Sequence, residues 1–208
     1  GFYGMSDDVL SNSVQEGRLQ RKTSVKGSFI STFRQVFLRH GLTMGFIALC
    51  CLLLPEASQA IAWSSSPLMS TPTYYFGFLL GLLLFFLVFL RLKVHQLTQM
   101  QLAWLSYLLF ISLVEEFAFR LMLPSLLVGA MGIIPAAVLS NFLFASIHYV
   151  TLRWKFINCL GVFFGGLGLS RLLGNTEDIA LVILVHWFFT FLNTPTSPNR
   201  TGQAAINE

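Results

Sequence analysis

The chain has 208 residues, 55% of them hydrophobic and only 11% charged, with a mean hydropathy of +0.70 and a formal net charge of +4. A soluble globular domain carries roughly 25% charged residues, so this composition excludes an ordinary soluble domain and points to the bilayer. No polar stretch is long enough for a second domain, which leaves one membrane domain.

Residues 1–4, GFYG ahead of Met5, read as an added scar and are set aside from the fold. The N-terminal segment, residues 1–35, is polar and basic beyond the scar and has no early apolar core, so no cleavable signal peptide is expected. The membrane domain is expected over 36–193 and a polar tail over 194–208. A spanning helix needs about 20 mostly apolar residues. Six segments are candidates: 36–54, 74–92, 100–127, 132–150, 156–173 and 179–193. Pro55 closes the first, and Tyr74 and Tyr75 open the second with the aromatics of a membrane interface. The third is long enough to tilt or to project from the bilayer, and the last is short. In the fifth, GVFFGGLG places Gly161 and Gly165 four apart and Gly168 a turn further on. That spacing suits a close helix contact, and equally the ordinary glycine content of membrane helices.

The positive-inside rule orients these segments. With the N-terminus in the cytoplasm, the inner segments hold Arg18, Arg21, Lys22, Lys26, Arg34, Arg39, Arg91, Lys93, Arg153, Lys155 and Arg200, which is 11 of the 13 basic residues. Arg120 and Arg171 lie within helices, and the outer loops carry Glu56, Glu177 and Asp178. The fold class expected is therefore an all-α polytopic membrane bundle of about six transmembrane helices with both termini cytoplasmic. The basic N-terminal residues serve topology, and nucleic acid is not an expected partner. Cys50, Cys51 and Cys159 sit in apolar runs and match no zinc or disulfide spacing, so core positions are expected for them.

Against this background the ionisable residues stand out, because each must offset its own desolvation. LVEEFAFR brings Glu115, Glu116 and Arg120 into the third helix. The fourth holds Asn141, Ser146 and His148, and the sixth holds His186, Thr190 and Asn193. Glu116 and Arg120, four apart, share a face and can pair, while Glu115 points about 100° away. Glu115 lies about 16 residues before the turn near Met131–Gly132 and His148 about 16 after it, so a uniform rise brings them level. The same rise leaves His186 about 9 Å nearer the outside. Ser146 has no adjacent base and reads as a packing residue, and His40 and His95 read as ordinary residues at the membrane edges.

A carboxylate beside imidazoles in a poorly solvated cavity can act as general base. Glu115 can take a proton from a water that His148 positions directly or through a metal, and His186 with a hydroxyl or amide on its face can stabilise an oxyanion. No HExxH pair is present. Glu115, His148 and His186 make a donor set that can hold Zn2+ with an open position, and the same groups can activate water without one. No organic cofactor is implied.

EEFAFR (Glu115, Glu116, Arg120), FASIH (Phe144, His148) and the histidine of HWFFT (His186), in that order over about 100–193, resemble the CPBP family. These are the CAAX proteases and bacteriocin-processing proteins, also called Abi intramembrane proteases. The resemblance implies a glutamate-dependent intramembrane endopeptidase in which Glu115 and His148 activate water and Glu116 and Arg120 hold the site together. It also implies that the last histidine, His186, acts with an asparagine four residues on to bind the oxyanion. Here that position is Thr190, and Asn193 follows about one turn later. The implied partners are a membrane-embedded or lipid-anchored peptide substrate and the lipid bilayer, in a bacterial inner membrane or an organellar, thylakoid-type membrane. The Thr190 departure motivates an alternative, a catalytically silent relative that binds another membrane protein as a scaffold or assembly factor. A proton or ion pathway needs a continuous polar route, whereas the polar residues cluster at one level.

Overall fold

The bundle is organised around one enclosed helix, and that helix carries the glutamates. A computed structural model of the chain describes residues 19–21, 30–93 and 97–198; Arg18, Lys22, Lys26, His95, Arg200, residues 1–4 and the end of the C-terminal tail lie outside the described residues. Among the described residues seven helices follow in order: α1 (Phe33–Leu52), α2 (Ala57–Ser70), α3 (Pro72–Lys93), α4 (Gln99–Met131), α5 (Ile133–Thr151), α6 (Phe156–Thr176) and α7 (Ile179–Asn193). Five of them, α1 and α3 to α6, are long and apolar enough to cross a membrane, and α7 is a shorter apolar helix of 15 residues. The protein is an all-α integral multi-pass membrane protein. Among the described residues the one strand-like feature is an isolated antiparallel bridge between Gln20 and Trp154.

Local signals explain the boundaries. Thr32 opens α1 in a reciprocal capping box with Gln35, and the Thr98 hydroxyl accepts the Gln101 N–H at the start of α4. Gly132, at φ 82°, turns the chain from α4 into α5, a conformation that costs a residue with a side chain. The expected outer loop at 55–73 instead holds α2. Its serines and Pro67 hide it from a hydropathy reading, but Ser64 is buried and its hydroxyl donates to the Ala60 carbonyl at 2.9 Å, which removes the polar cost.

Packing is aromatic. Phe86 of α3 lies 4.7 Å from the Trp187 ring and 4.2 Å from the Phe191 ring of α7, while Phe33, Trp104 and Tyr107 join α1 to α4. Leu80, Leu84 and Val88 of α3 point outward, as lipid-facing residues do. In its most apolar stretch α4 is 61% buried, against 17% for α3. The chain thus places its charges on the span that lipid reaches least.

Two helices carry π turns, Phe37–Gly41 in α1 and Phe117–Met122 in α4, a feature common beside functional sites. Gly41 lets α1 and α4 approach, because a Cβ there would fall 3.1 Å from the Tyr107 ring. Of the two readings of Gly161, Gly165 and Gly168, the ordinary glycine content of a membrane helix is the one that fits, since an added Cβ at each meets nothing within 4 Å. Gly166 makes a close contact instead: a Cβ there would overlap Asn141 and Arg120. One residue of phase, about 100°, turns Gly166 rather than its neighbours towards α5. Cys159 is buried and Cys51 half-buried, but Cys50 is exposed, so the core expectation fails there; it lies on the outward face of α1.

Candidate active site

Glu115 is 2% exposed at the centre of the bundle, two residues before the α4 π turn. Three histidines from three other helices close on it. His148 of α5 brings Nε2 to 3.7 Å from Glu115 Oε1, and His186 of α7 brings Nε2 to 3.7 Å from Oε2. His40 of α1 brings Nε2 to 2.7 Å from Oε1.

His40 is the residue that sequence reasoning missed. Expected at a membrane edge, it is 3% exposed and lies seven positions after Phe33, which puts it about 10 Å into α1. The start of α1 is drawn onto the end of α5, where Arg39 Nε donates to the Thr151 carbonyl at 2.9 Å. The signal that was available is the depth of His40 within an apolar span and the glycine beside it. Its partners are 75 and 111 residues away, and helical phase within α1 says nothing about them.

Hydrogen-bond direction fixes which nitrogen does what. The Thr151 hydroxyl donates to the Ile147 carbonyl at 2.7 Å, so it accepts from His40 Nδ1–H, also at 2.7 Å. His40 Nε2 and Glu115 Oε1 therefore share a single proton. His148 Nδ1 lies 3.0 Å from the Phe144 carbonyl, which can only accept, so the proton sits on Nδ1 and the Nε2 lone pair faces Glu115.

The expected depth offset of His186 is not present. Asp178, which caps α7 through the Leu181 N–H at 3.0 Å, is itself 6% exposed and receives the Tyr75 hydroxyl. The turn before α7 is sunk into the bundle instead of lying at its surface, and this lowers His186 to the level of Glu115.

Glu116 faces elsewhere, as helical phase requires. Its Oε2 lies 3.4 Å from Arg120 Nε, and its Oε1 lies 2.5 Å from His186 Nδ1, both outside hydrogen-bond geometry. Arg120 is 4% exposed, and none of its nitrogens has a hydrogen-bond partner among the described residues. Its charge is balanced by Glu116 and by the face of Phe144, with Cζ 3.9 Å from the ring centroid. Asn141 donates to Ser170 at 2.8 Å and to the Ala137 carbonyl at 2.9 Å, joining α5 to α6. Ser146 bonds back to the Phe142 carbonyl within its own helix, in keeping with a packing residue. Thr190 is half-buried and Asn193 exposed near the end of α7, and neither side chain is hydrogen-bonded to the cluster among the described residues. A cavity of about 530 Å³ between α2, α4, α5 and α6 is walled by Arg120 but not by Glu115, His148 or His186.

The cluster has the composition and the anchoring of a site that handles a water or a cation. His40, Glu115 and His148 form a buried group whose ligating atoms lie within 4.8 Å of one another, a group that can hold a metal ion. The expected set had His186 in the place of His40. The fit is supported from behind: His40 and His148 each have Nδ1 engaged, by Thr151 and by the Phe144 carbonyl, which aims Nε2 inward as metal-binding histidines require.

Comparison with known proteins adds to this geometry. No curated protein and no solved structure matches the chain. A family model described as type II CAAX prenyl endopeptidase Rce1-like matches residues 98–192, the stretch that supplies Glu115, Glu116, Arg120, His148 and His186 but not His40. The match covers just under half of the chain, and over that stretch the chain is similar to the type II CAAX prenyl endopeptidases, in line with the CPBP resemblance carried by EEFAFR, FASIH and His186.

Proposed function

We propose that the protein is an intramembrane endopeptidase that hydrolyses a peptide bond of a membrane-embedded or lipid-anchored substrate, with water activated by Glu115 and His148. The observation that carries this reading is the convergence of three histidine Nε2 atoms on the Glu115 carboxylate, with Glu115, His148 and His186 inside the segment that the protease-family model matches. Two acceptors 3.7 Å apart, His148 Nε2 and Glu115 Oε1, suit one water that donates a hydrogen to each and keeps a lone pair for attack. Glu115 then takes the proton and returns it to the leaving amine. His40 holds the carboxylate in place and shares its proton, which makes it a positioning residue. His186 polarises the substrate carbonyl, assisted by the Thr190 hydroxyl one turn further along the same face.

The donor set of His40, Glu115 and His148 matches the two-histidine, one-carboxylate composition used for Zn2+ with an open position. A bound zinc would act as a Lewis acid and lower the pKa of a water. The family description makes a prenylated peptide ending in a CAAX sequence the first substrate to try.

The test uses purified protein in lipid vesicles with a farnesylated CAAX peptide and, separately, a transmembrane peptide. Glu115→Gln and His148→Ala are each expected to lose about 10²- to 10⁴-fold in cleavage while remaining monodisperse. Undiminished cleavage by a stably folded Glu115→Gln protein would overturn the proposal. Absence of cleavage of both substrates by the unaltered protein would favour the silent-scaffold alternative.

A further inference from the structure

The loop between α5 and α6 runs beside the site, with the Trp154 ring 5.3 Å from the His148 ring. Its backbone is already paired. Arg21 N–H donates to the Arg153 carbonyl at 2.8 Å, Lys155 N–H donates to the Leu19 carbonyl at 2.7 Å, and Gln20 and Trp154 are antiparallel partners. These two bonds are the repeating unit of an antiparallel ladder, formed in a protein that otherwise has helices among its described residues. Side chains support the short strand: Asn158 Nδ2 donates to the Leu19 carbonyl at 3.0 Å, and Arg21 donates to the Tyr149 carbonyl at 3.1 Å with its guanidinium over the Tyr149 ring. Arg153, at φ 55°, holds the loop in a turned conformation that puts its carbonyl and the Lys155 N–H on one edge.

Hydrolysis requires the scissile carbonyl to leave its own helix, because a helical carbonyl is engaged by the N–H four residues on and screened by side chains. An extended peptide binds best where a free backbone edge supplies main-chain partners without regard to sequence. Such an edge exists here within one side chain of His148, and an extended piece of the same chain sits on it. We infer that the Arg153–Lys155 edge is the docking site for the extended backbone of a peptide substrate, and that Leu19–Arg21 occupies it as an internal competitor. The word substrate rests on the endopeptidase reading, whereas the peptide-binding edge does not. The competitor is displaceable because, among the described residues, it supplies only two ladder bonds.

Two proline substitutions separate the strand from the edge, since proline removes a backbone donor. Arg21→Pro deletes the N–H that reaches Arg153 and frees the edge. Lys155→Pro deletes the donor of the edge itself; Lys155 has φ −61° at the N-cap of α6, and Trp154 before it is extended, so the fold accepts proline there. The probe is a fluorescein-labelled peptide of residues 16–24, EGRLQRKTS, added to the full chain in detergent and read by anisotropy. Arg21→Pro is expected to bind it at least about fivefold more tightly than the unaltered protein, and Arg21→Pro combined with Lys155→Pro to lose that gain. In the cleavage assay Arg21→Pro should lower KM with kcat unchanged, and Lys155→Pro should raise KM. Equal peptide binding by Arg21→Pro and the unaltered protein would overturn the inference, as would tight binding that survives Lys155→Pro. If no variant cleaves any substrate but the binding pattern holds, the endopeptidase reading fails and the edge stands as a peptide site. If cleavage is normal and Lys155→Pro changes neither binding nor KM, the edge alone falls.

Discussion

Glu115 and Glu116 are adjacent in sequence and equally buried, yet their surroundings differ in kind. Around Glu115 one contact, to His40 Nε2 at 2.7 Å, is a hydrogen bond, His148 and His186 stand 3.7 Å off, and each of His40 and His148 is anchored from behind by Thr151 or the Phe144 carbonyl. Around Glu116 the contacts are charge against charge, to Arg120 at 3.4 Å and His186 at 2.5 Å, without hydrogen-bond geometry on either side. The first arrangement turns the His148 Nε2 lone pair towards the carboxylate and suits chemistry. The second neutralises a buried arginine and locks α4 to α7, which suits architecture. On the endopeptidase proposal, one residue of helical phase separates the reactive carboxylate from the structural one.

The largest effects should come from breaking this contrast at its two centres. Glu115→Gln keeps size and burial, so cleavage should fall by about 10²- to 10⁴-fold with little change in the melting temperature of the detergent-solubilised protein. Glu116→Gln should do the reverse. It leaves Arg120 as an uncompensated buried cation, which costs about 3–5 kcal/mol, read as a large drop in melting temperature and in the yield of folded protein. If Glu116→Gln melts normally, Arg120 is being neutralised by something other than Glu116 and the division of labour is wrong.

The sequence made much of this legible and hid the rest for identifiable reasons. Helical phase separates Glu115 from Glu116, and symmetric spacing about Gly132 levels Glu115 with His148, because both depend only on rise and turn within a continuous hairpin. His40 was out of reach because its role depends on how α1 docks against α5, a contact between residues more than a hundred positions apart. The depth of His186 was misjudged because hydropathy assumes that turns lie at the membrane surface, whereas Asp178 is drawn inward by Tyr75. α2 was hidden because it is a short helix of mixed polarity, mostly exposed, with only Ala57 and Ser64 buried.

Gly166 tests the structural half at smaller magnitude. A methyl group there overlaps Asn141 and Arg120, so Gly166→Ala should cost about 1–3 kcal/mol as overpacking. Gly165→Ala, with open space around it, should be neutral or slightly stabilising. Equal melting temperatures for the two variants would mean that α6 slides to make room. On the reactive half, His40→Ala removes a positioning partner that acts through Glu115, and the analogous loss of a supporting hydrogen bond costs about 10- to 100-fold. Cleavage should fall by that factor in kcat with KM unchanged, and His40→Asn should recover part of it.

The smallest effects sharpen the boundary of the reactive half along α7. Thr190 lies one turn beyond His186 and is half-buried, while Asn193 is exposed near the helix end. A hydroxyl that assists His186 at the oxyanion acts only in the transition state, so Thr190→Ala should lower kcat and kcat/KM together. The loss should be modest, below about tenfold, because one neutral hydrogen bond contributes only about 0.5–1.5 kcal/mol. Asn193→Ala should leave both kinetics and stability within about 0.5 kcal/mol, as for other exposed sites without buried partners. A reversal, with Asn193 mattering and Thr190 not, would mean that α7 turns by most of a residue when substrate binds. His186 would then leave Glu116, and the separation between the two glutamates would hold only for the free protein.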